Sequence, residues 1–235
     1  MNTQLDASTA FKDTLPTMLG YIGIGIAFGI VGKAGGFSTL VVVLMSLIIY
    51  AGSAQFITVS MLATNNPIFA IIFATFLINA RMILMSLTVA TFFKKESLFK
   101  NILIGTFLTD ESFALGINKQ LITNQRLTFS WFNTANLLSY LTWVGSTIIG
   151  ALIGDFIPNP ESLGLDFAIV AMFIGLLYLQ VHTDQKLSVT LQLLLIVLTF
   201  VGIYFGMIFI PHSILVLLVT LIICAIGVMI NYAFN

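Results

Sequence analysis

Apolar residues run along this 235-residue chain in long unbroken blocks rather than in alternating stripes. The blocks fall near 16–33, 37–64, 67–93, 101–118, 129–154, 164–181, 187–209 and 212–233. Each approaches the about 20 mostly apolar residues that an α-helix needs to cross a bilayer. Polar breaks separate them, among them Lys33 with Gly35-Gly36, Asn65-Asn66-Pro67, Lys94-Lys95-Glu96 and Lys119 to Arg126. Asp155 to Glu161, His182 to Lys186 and Pro211-His212 complete the set. All five prolines lie at or near block edges, where a missing N–H costs least. The pattern predicts an all-α polytopic membrane protein with seven or eight helical membrane segments. It forms a single transmembrane domain over 1–235, with a first half at 11–119 and a second at 129–233.

Composition agrees. The chain is 59% apolar and 8% charged, against roughly 25% charged in a soluble domain, so too few polar side chains exist to cover a water-facing surface. Nine basic residues balance nine acidic ones, which leaves no basic patch for phosphate and excludes nucleic acid as a partner. Cys224 is the single cysteine, so no intrachain disulfide forms. Residues 1–14 are polar, with Asp6, Lys12 and Asp13, and read as a short solvated tail rather than a cleaved export signal.

Charge placement bears on topology. If all eight blocks span, Lys12, Lys119, Arg126 and Lys186 face one side and Lys33, Lys94, Lys95 and Lys100 the other. If 101–118 instead enters and leaves on one side, every one of these except Lys12 gathers on a single side. The positive-inside rule favours that division. It gives seven spans, a re-entrant 101–118, an external N-terminus and an internal C-terminus. The trios before and after 101–118 then have opposite topology, as in inverted-repeat transporters.

Gly25, Gly29, Gly32 and Gly36 share one helix face, and Gly150 with Gly154 and Gly202 with Gly206 repeat the spacing. Such faces let helices approach closely in lipid. Static packing is a sufficient reason for them.

Ionisable and polar groups inside a membrane are functional candidates by default. Block 37–64 is longer than one perpendicular span and is interrupted by Tyr50-Ala51-Gly52-Ser53-Ala54-Gln55-Phe56. A broken helix near Gly52–Gln55 would free backbone groups for a ligand. Arg81 lies about 13 residues before Lys94, roughly 20 Å deep if helical. It stays charged and needs an acidic or carbonyl partner. Asn79, two residues earlier, would face nearly the opposite way. Asp110 and Glu111 reach a similar depth on the return limb, so Arg81 is expected to pair with one of them. The other carboxyl would then be available to carry a proton. Asp166 opens the sixth block and suits a helix N-cap, with a role in the substrate path as the alternative.

His182 and His212 sit at block ends with no cluster at metal-ligand spacing, so no metal site is expected. Trp131, Trp143 and the six tyrosines read as belt or packing residues. No phosphate loop, ATPase signature or cofactor motif is present. Ser53 with a histidine is the sole nucleophile–base set, and mid-block against block-edge positions put it out of reach.

Taken in order, Pro16 to Gly29, Tyr50 to Phe56, Asn79-Ala80-Arg81, Asp110-Glu111-Ser112-Phe113 and Gly164 to Ala168 resemble the AzlC family, over roughly residues 10–230. That family forms the large subunit of bacterial branched-chain amino-acid exporters. Some members carry His or an aromatic after the arginine; Met82 stands here, so no titrating role attaches to it. The resemblance implies a secondary-active exporter of valine, leucine, isoleucine or analogues in the bacterial plasma membrane, driven by inward proton movement. It also implies a small AzlD-type membrane subunit as partner. Gly52, Ser53, Gln55, Asn79 and Arg81 are the expected substrate-binding residues, and Asp110, Glu111 and Asp166 the expected proton-coupling or ammonium-binding ones. A transporter or channel for another small solute or ion is the alternative, and a structural partner without transport of its own a further one.

Overall fold

The computed structural model describes residues 3–124, 126–157, 167–183, 187–210 and 212–234, which are helical with no strand among them. Two compact units, Met1–Phe173 and Ile174–Asn235, are taken in turn.

The first unit is built on α1 (Ala7–Ala34), with α2 (Thr39–Ile48), α3 (Gly52–Ala63), α4 (Ile68–Asn79), α5 (Arg81–Ala90), α6 (Leu98–Thr106), α7 (Asp110–Ile122) and α8 (Phe129–Gly154) around it. Local sequence sets the starts. Asp6 accepts the Thr9 N–H at 2.8 Å, and Ser38, Ser97, Thr109 and Thr128 cap their helices in the same way. The Asp6 cap starts α1 nine residues before the apolar block. Pro16 therefore lies inside the helix rather than at its edge, and residues 7–14 are structured rather than a solvated tail.

α1 and α8 run parallel. Thr128 Oγ1 donates to the Leu5 carbonyl at one end, and Lys33 meets Asp155 at 2.9 Å at the other. Glycines make the closeness possible. A Cβ on Gly29 would run into the backbone of Thr147 and Ala151, one on Gly150 into Ile26, and one on Gly25 would lie 2.8 Å from the Ser146 Cβ. The parallel pairing corrects one expectation, since blocks 16–33 and 129–154 cannot begin trios of opposite topology.

The inversion lies elsewhere. Let the end of the pair holding Leu5 and Thr128 be the N face and the end holding Lys33 and Asp155 the C face. α2 starts at the C face, where Val42 packs on Gly32, and descends until Ser46 meets Thr147 and Leu47 meets Tyr140. After a break α3 returns, with Phe56 against Phe28 and Val59 against Gly35. Block 37–64 is thus a re-entrant hairpin and not a span. Its apolar length suited either, but the break at its middle reverses the chain.

α4 and α5 then cross from the C face, where Thr75 meets Thr58, to the N face, where Val89 and Phe93 pack with Ala10, Trp131 and Phe132. α6 enters from the N face with Lys100 over the Phe129 ring, and its Ile104 carbonyl accepts from Asn136. α7 goes back out, with Gly116 against Phe132 and Lys119 on Asp13. The 101–118 segment is re-entrant, as in the seven-span reading, although Lys12 lies with Lys94, Lys95 and Lys100 and Lys33 opposite them. Two helical hairpins therefore enter from opposite faces and meet tip to tip, where Tyr50 and Phe107 lie 6.5 Å apart.

α9 (Phe167–Thr183) follows. In the second unit α10 (Val189–Phe209) and α11 (His212–Phe234) pack antiparallel, Gly202 on Val219 and Gly206 on Leu215. α1, the α4–α5 stretch, α8 and α10 are long and apolar enough to cross a membrane. The chain is a polytopic helical membrane protein.

Candidate functional site

The two hairpin tips and the break between α4 and α5 converge on one cavity. At the first tip Tyr50 has φ +39° and Ala51 is extended. A left-handed tyrosine costs about 1–2 kcal/mol, which the surrounding packing must offset. Gly52 opens α3 because a Cβ there would lie 2.9 Å from the Trp143 ring. No side chain caps the first turn of α3.

The second tip is the reverse. Thr109 Oγ1 accepts the Ser112 N–H at 3.2 Å and Ser112 Oγ accepts the Thr109 N–H at 2.9 Å, a closed capping box. Asp110 and Glu111 occupy the first turn that follows. At the third break, Ala80 N–H bonds to Leu77 O and Ile83 N–H to Ala80 O, a tightened three-residue pattern. Asn79 and Arg81 therefore both line the cavity, where a continuous helix would turn them about 200° apart.

Arg81 Nη2 lies 2.9 Å from Asp110 Oδ2 and donates to Ser53 Oγ at 3.3 Å. Of the two expected carboxyl partners, Asp110 makes the ion pair. Glu111 Oε2 receives the Tyr21 hydroxyl at 2.6 Å. That hydroxyl is also 2.9 Å from Thr109 Oγ1. Carrying one proton, it donates to the carboxylate and accepts from the threonine. Trp143, Ala51 and Met82 complete the wall with Tyr21, Tyr50 and Thr109. The free space is about 20 Å³, room for about one water at the ~10–15 Å³ a water occupies. The chamber is narrow, and the Arg81 and Asp110 side chains at its edge stay partly exposed.

Of the residues singled out by sequence, Gly52, Ser53, Asn79, Arg81, Asp110 and Glu111 meet in this cavity. Gln55 does not line it. It is fully buried behind the wall, donating to Ser46 at 2.9 Å and accepting Trp143 Nε1 at 3.0 Å, and so fixes the indole. Asp166 lies outside the described residues. Of the belt and packing alternatives for Trp143 and Trp131, both are buried packing residues. Tyr21, Thr109 and Trp143 escape sequence reasoning as site residues; only Thr109 carries a local signal, as the N-cap before two acidic residues.

A second buried charge pair lies towards the N face. Lys119, fully enclosed, meets Asp13 at 2.6 Å, and Trp131 Nε1 donates to the same carboxylate at 3.2 Å. Both charges had read as break and tail residues.

The family described as AzlC protein matches residues 16–157, which contain every element of the cavity. The "Branched-chain amino acid transport protein AzlC" of Bacillus subtilis is 33% identical over 181 residues, 76% of this chain and 69% of the relative. "Inner membrane protein YgaZ" of Escherichia coli is 32% identical over 187 residues, 77% and 76% of the two chains. An "Uncharacterized membrane protein" of Helicobacter pylori is 30% identical over 171 residues, 71% and 72%. No solved structure matches. With a fold of membrane helices around a polar chamber and these likenesses over most of its length, the chain belongs to the AzlC family of membrane transport proteins.

Proposed function

We propose that this chain exports branched-chain amino acids across a bacterial plasma membrane, coupled to inward proton movement and acting with a small AzlD-type subunit. The observation that carries the reading is the chamber between the hairpin tips, which gathers Arg81, Asp110 and Glu111 with backbone donors of α3 and an aromatic wall. A zwitterionic apolar amino acid needs an anion site, a cation site and an apolar pocket, and these groups supply all three classes of contact. The likeness to a protein named for branched-chain amino acid transport narrows the side chain. Glu111, held by a hydroxyl, is the preferred proton carrier, because its charge can change without breaking the Arg81–Asp110 pair.

The chamber has room for about one water, too little for an amino acid. Passage requires the tips to separate, each hairpin opening towards its own face, which is alternating access around a fixed midplane site. The test is efflux of labelled leucine or valine from loaded proteoliposomes, with and without the small subunit and a pH gradient. Substrate-dependent efflux that grows with the gradient is expected. Absence of efflux under every condition refutes the reading.

A further inference from the structure

We propose that the Tyr50 hydroxyl and the first turn of α3 form the carboxylate-binding site of the chamber. A bound amino acid then lies with its carboxylate on the α2–α3 tip and its ammonium on the α7 tip. This rests on the amino-acid reading above and adds to it a polarity and a residue.

Two independent observations carry the assignment. The first is the N-terminus of α3, a 12-residue helix whose cap position, Ala51, has no side-chain acceptor. The N–H groups of Gly52, Ser53 and Ala54 precede the first intrahelical bond, made by Gln55 to the Ala51 carbonyl. They carry the positive end of the helix dipole. The second is Tyr50 itself. It is 7% exposed, lines the chamber, and its buried hydroxyl makes no hydrogen bond. The Glu111 carboxylate and the Tyr21 hydroxyl both act on it electrostatically, and neither hydrogen-bonds to it. Burying a hydroxyl without a partner is costly, and Tyr50 does so from a left-handed backbone. Tyr50 immediately precedes the uncapped Ala51 and lines the same chamber as Gly52 and Ser53, and what these donors lack is an acceptor with several lone pairs.

The α7 tip offers the complement. Its first turn is closed by Thr109 and Ser112 and carries its own carboxylates, so it repels an anion and attracts a cation. The α3 tip thus ends in unbonded backbone N–H groups and a free tyrosine hydroxyl, and the α7 tip in two carboxylates. Trp143, pressed on Gly52 and fixed by Gln55, forms the wall at the carboxylate end.

The test compares binding of leucine with that of leucinamide, which keeps the ammonium and side chain but loses the carboxylate charge. The purified chain, with its small subunit where binding requires it, is titrated by isothermal calorimetry. Wild type is expected to prefer leucine by about tenfold or more. Tyr50→Phe, which keeps the ring packing, should weaken leucine severalfold and leave leucinamide unchanged. Ala51→Asp supplies an internal cap in place of the ligand, so it should hold or raise the melting temperature while losing leucine. That combination is opposite to misfolding. A Tyr50→Phe protein with the wild-type preference, a loss of both ligands together, or an Ala51→Asp protein that still binds leucine overturns the site. Wild type that binds neither leucine nor valine fails one step earlier and removes the amino-acid reading as well.

Discussion

Arg81 at the start of α5 and Asp110 at the start of α7 meet at 2.9 Å, tying the broken spanning segment to the tip of the N-face hairpin. Their side chains are 37% and 21% exposed, so the pair borders the chamber rather than a dry core. Removing one partner of a dry pair costs about 3–5 kcal/mol, and partial exposure lowers this towards the about 0–1 kcal/mol of a surface pair. Arg81→Leu and Asp110→Asn should each reduce folded yield and stop transport. The exchange Arg81→Glu with Asp110→Arg should recover yield, read as a monodisperse peak on size-exclusion chromatography. An exchange no better than either single change would show that the two charges are not coupled.

Glu111 should separate binding from coupling. Its carboxylate is held by the Tyr21 hydroxyl at 2.6 Å, an interaction that an amide also accepts. Glu111→Gln is expected to leave gradient-free exchange of labelled leucine within about threefold, under ~0.7 kcal/mol, and to abolish acceleration by a pH gradient. Tyr21→Phe should give a milder form of the same defect. A gradient response retained in Glu111→Gln moves the proton role to another carboxylate.

Most of the site's charged groups were legible in the sequence because charge at membrane depth is rare enough to stand out one residue at a time. Arg81, Asp110 and Glu111 announced themselves so, and the break in block 37–64 was visible as small and polar residues inside an apolar run. What was hidden depends on direction. An apolar block with a central break reads alike whether the chain continues through the bilayer or turns back, so α2–α3 passed for a span. Tyr21 and Trp143 look like any interfacial aromatic until α1 and α8 are laid side by side. That Asn79 and Arg81 share one cavity was hidden because nothing local marks Ala80 as the place where that helix tightens.

The Lys119–Asp13 pair should be a stability element. With Lys119 fully enclosed and the Asp13 side chain 7% exposed, neither charge has water to fall back on. Lys119→Met strands a carboxylate that also serves Trp131 Nε1, at an expected cost of about 3–5 kcal/mol. Adding Asp13→Leu should recover much of the loss, since apolar replacement of a whole buried pair is often neutral. Thermal unfolding in detergent measures both. A double variant as unstable as the single one contradicts this account.

Glycine substitutions should divide by location rather than by helix. Gly29 meets the backbone of α8, which cannot yield as a side chain can, whereas nothing lies within 4 Å of a Cβ on Gly20 in the same helix. Gly29→Val should lower stability by about 1–3 kcal/mol or more. Gly20→Ala should be neutral or stabilising by about 0.5–1 kcal/mol, as expected for alanine in a helix interior. Melting temperatures of the two variants decide it, and equal effects would mean that the α1–α8 contact is not the constraint.

Recognising block 37–64 as a hairpin reverses the orientation drawn from the sequence. The crossing by α4 and α5 brings Lys94, Lys95 and Lys100 to the N face, with Lys12 and Arg126, while Lys33 lies at the C face beside Asp155. Positive residues gather on the cytoplasmic side, so the N face should be cytoplasmic and the α2–α3 hairpin should enter from outside. Single cysteines at Lys95→Cys and Asn66→Cys, in a Cys224→Ser background, test this with a maleimide that cannot cross membranes. Both positions are exposed, one at each face. Asn66→Cys should label in intact cells and Lys95→Cys only after lysis. The opposite pattern would put the N-terminus outside and leave the basic residues on the wrong side of the rule.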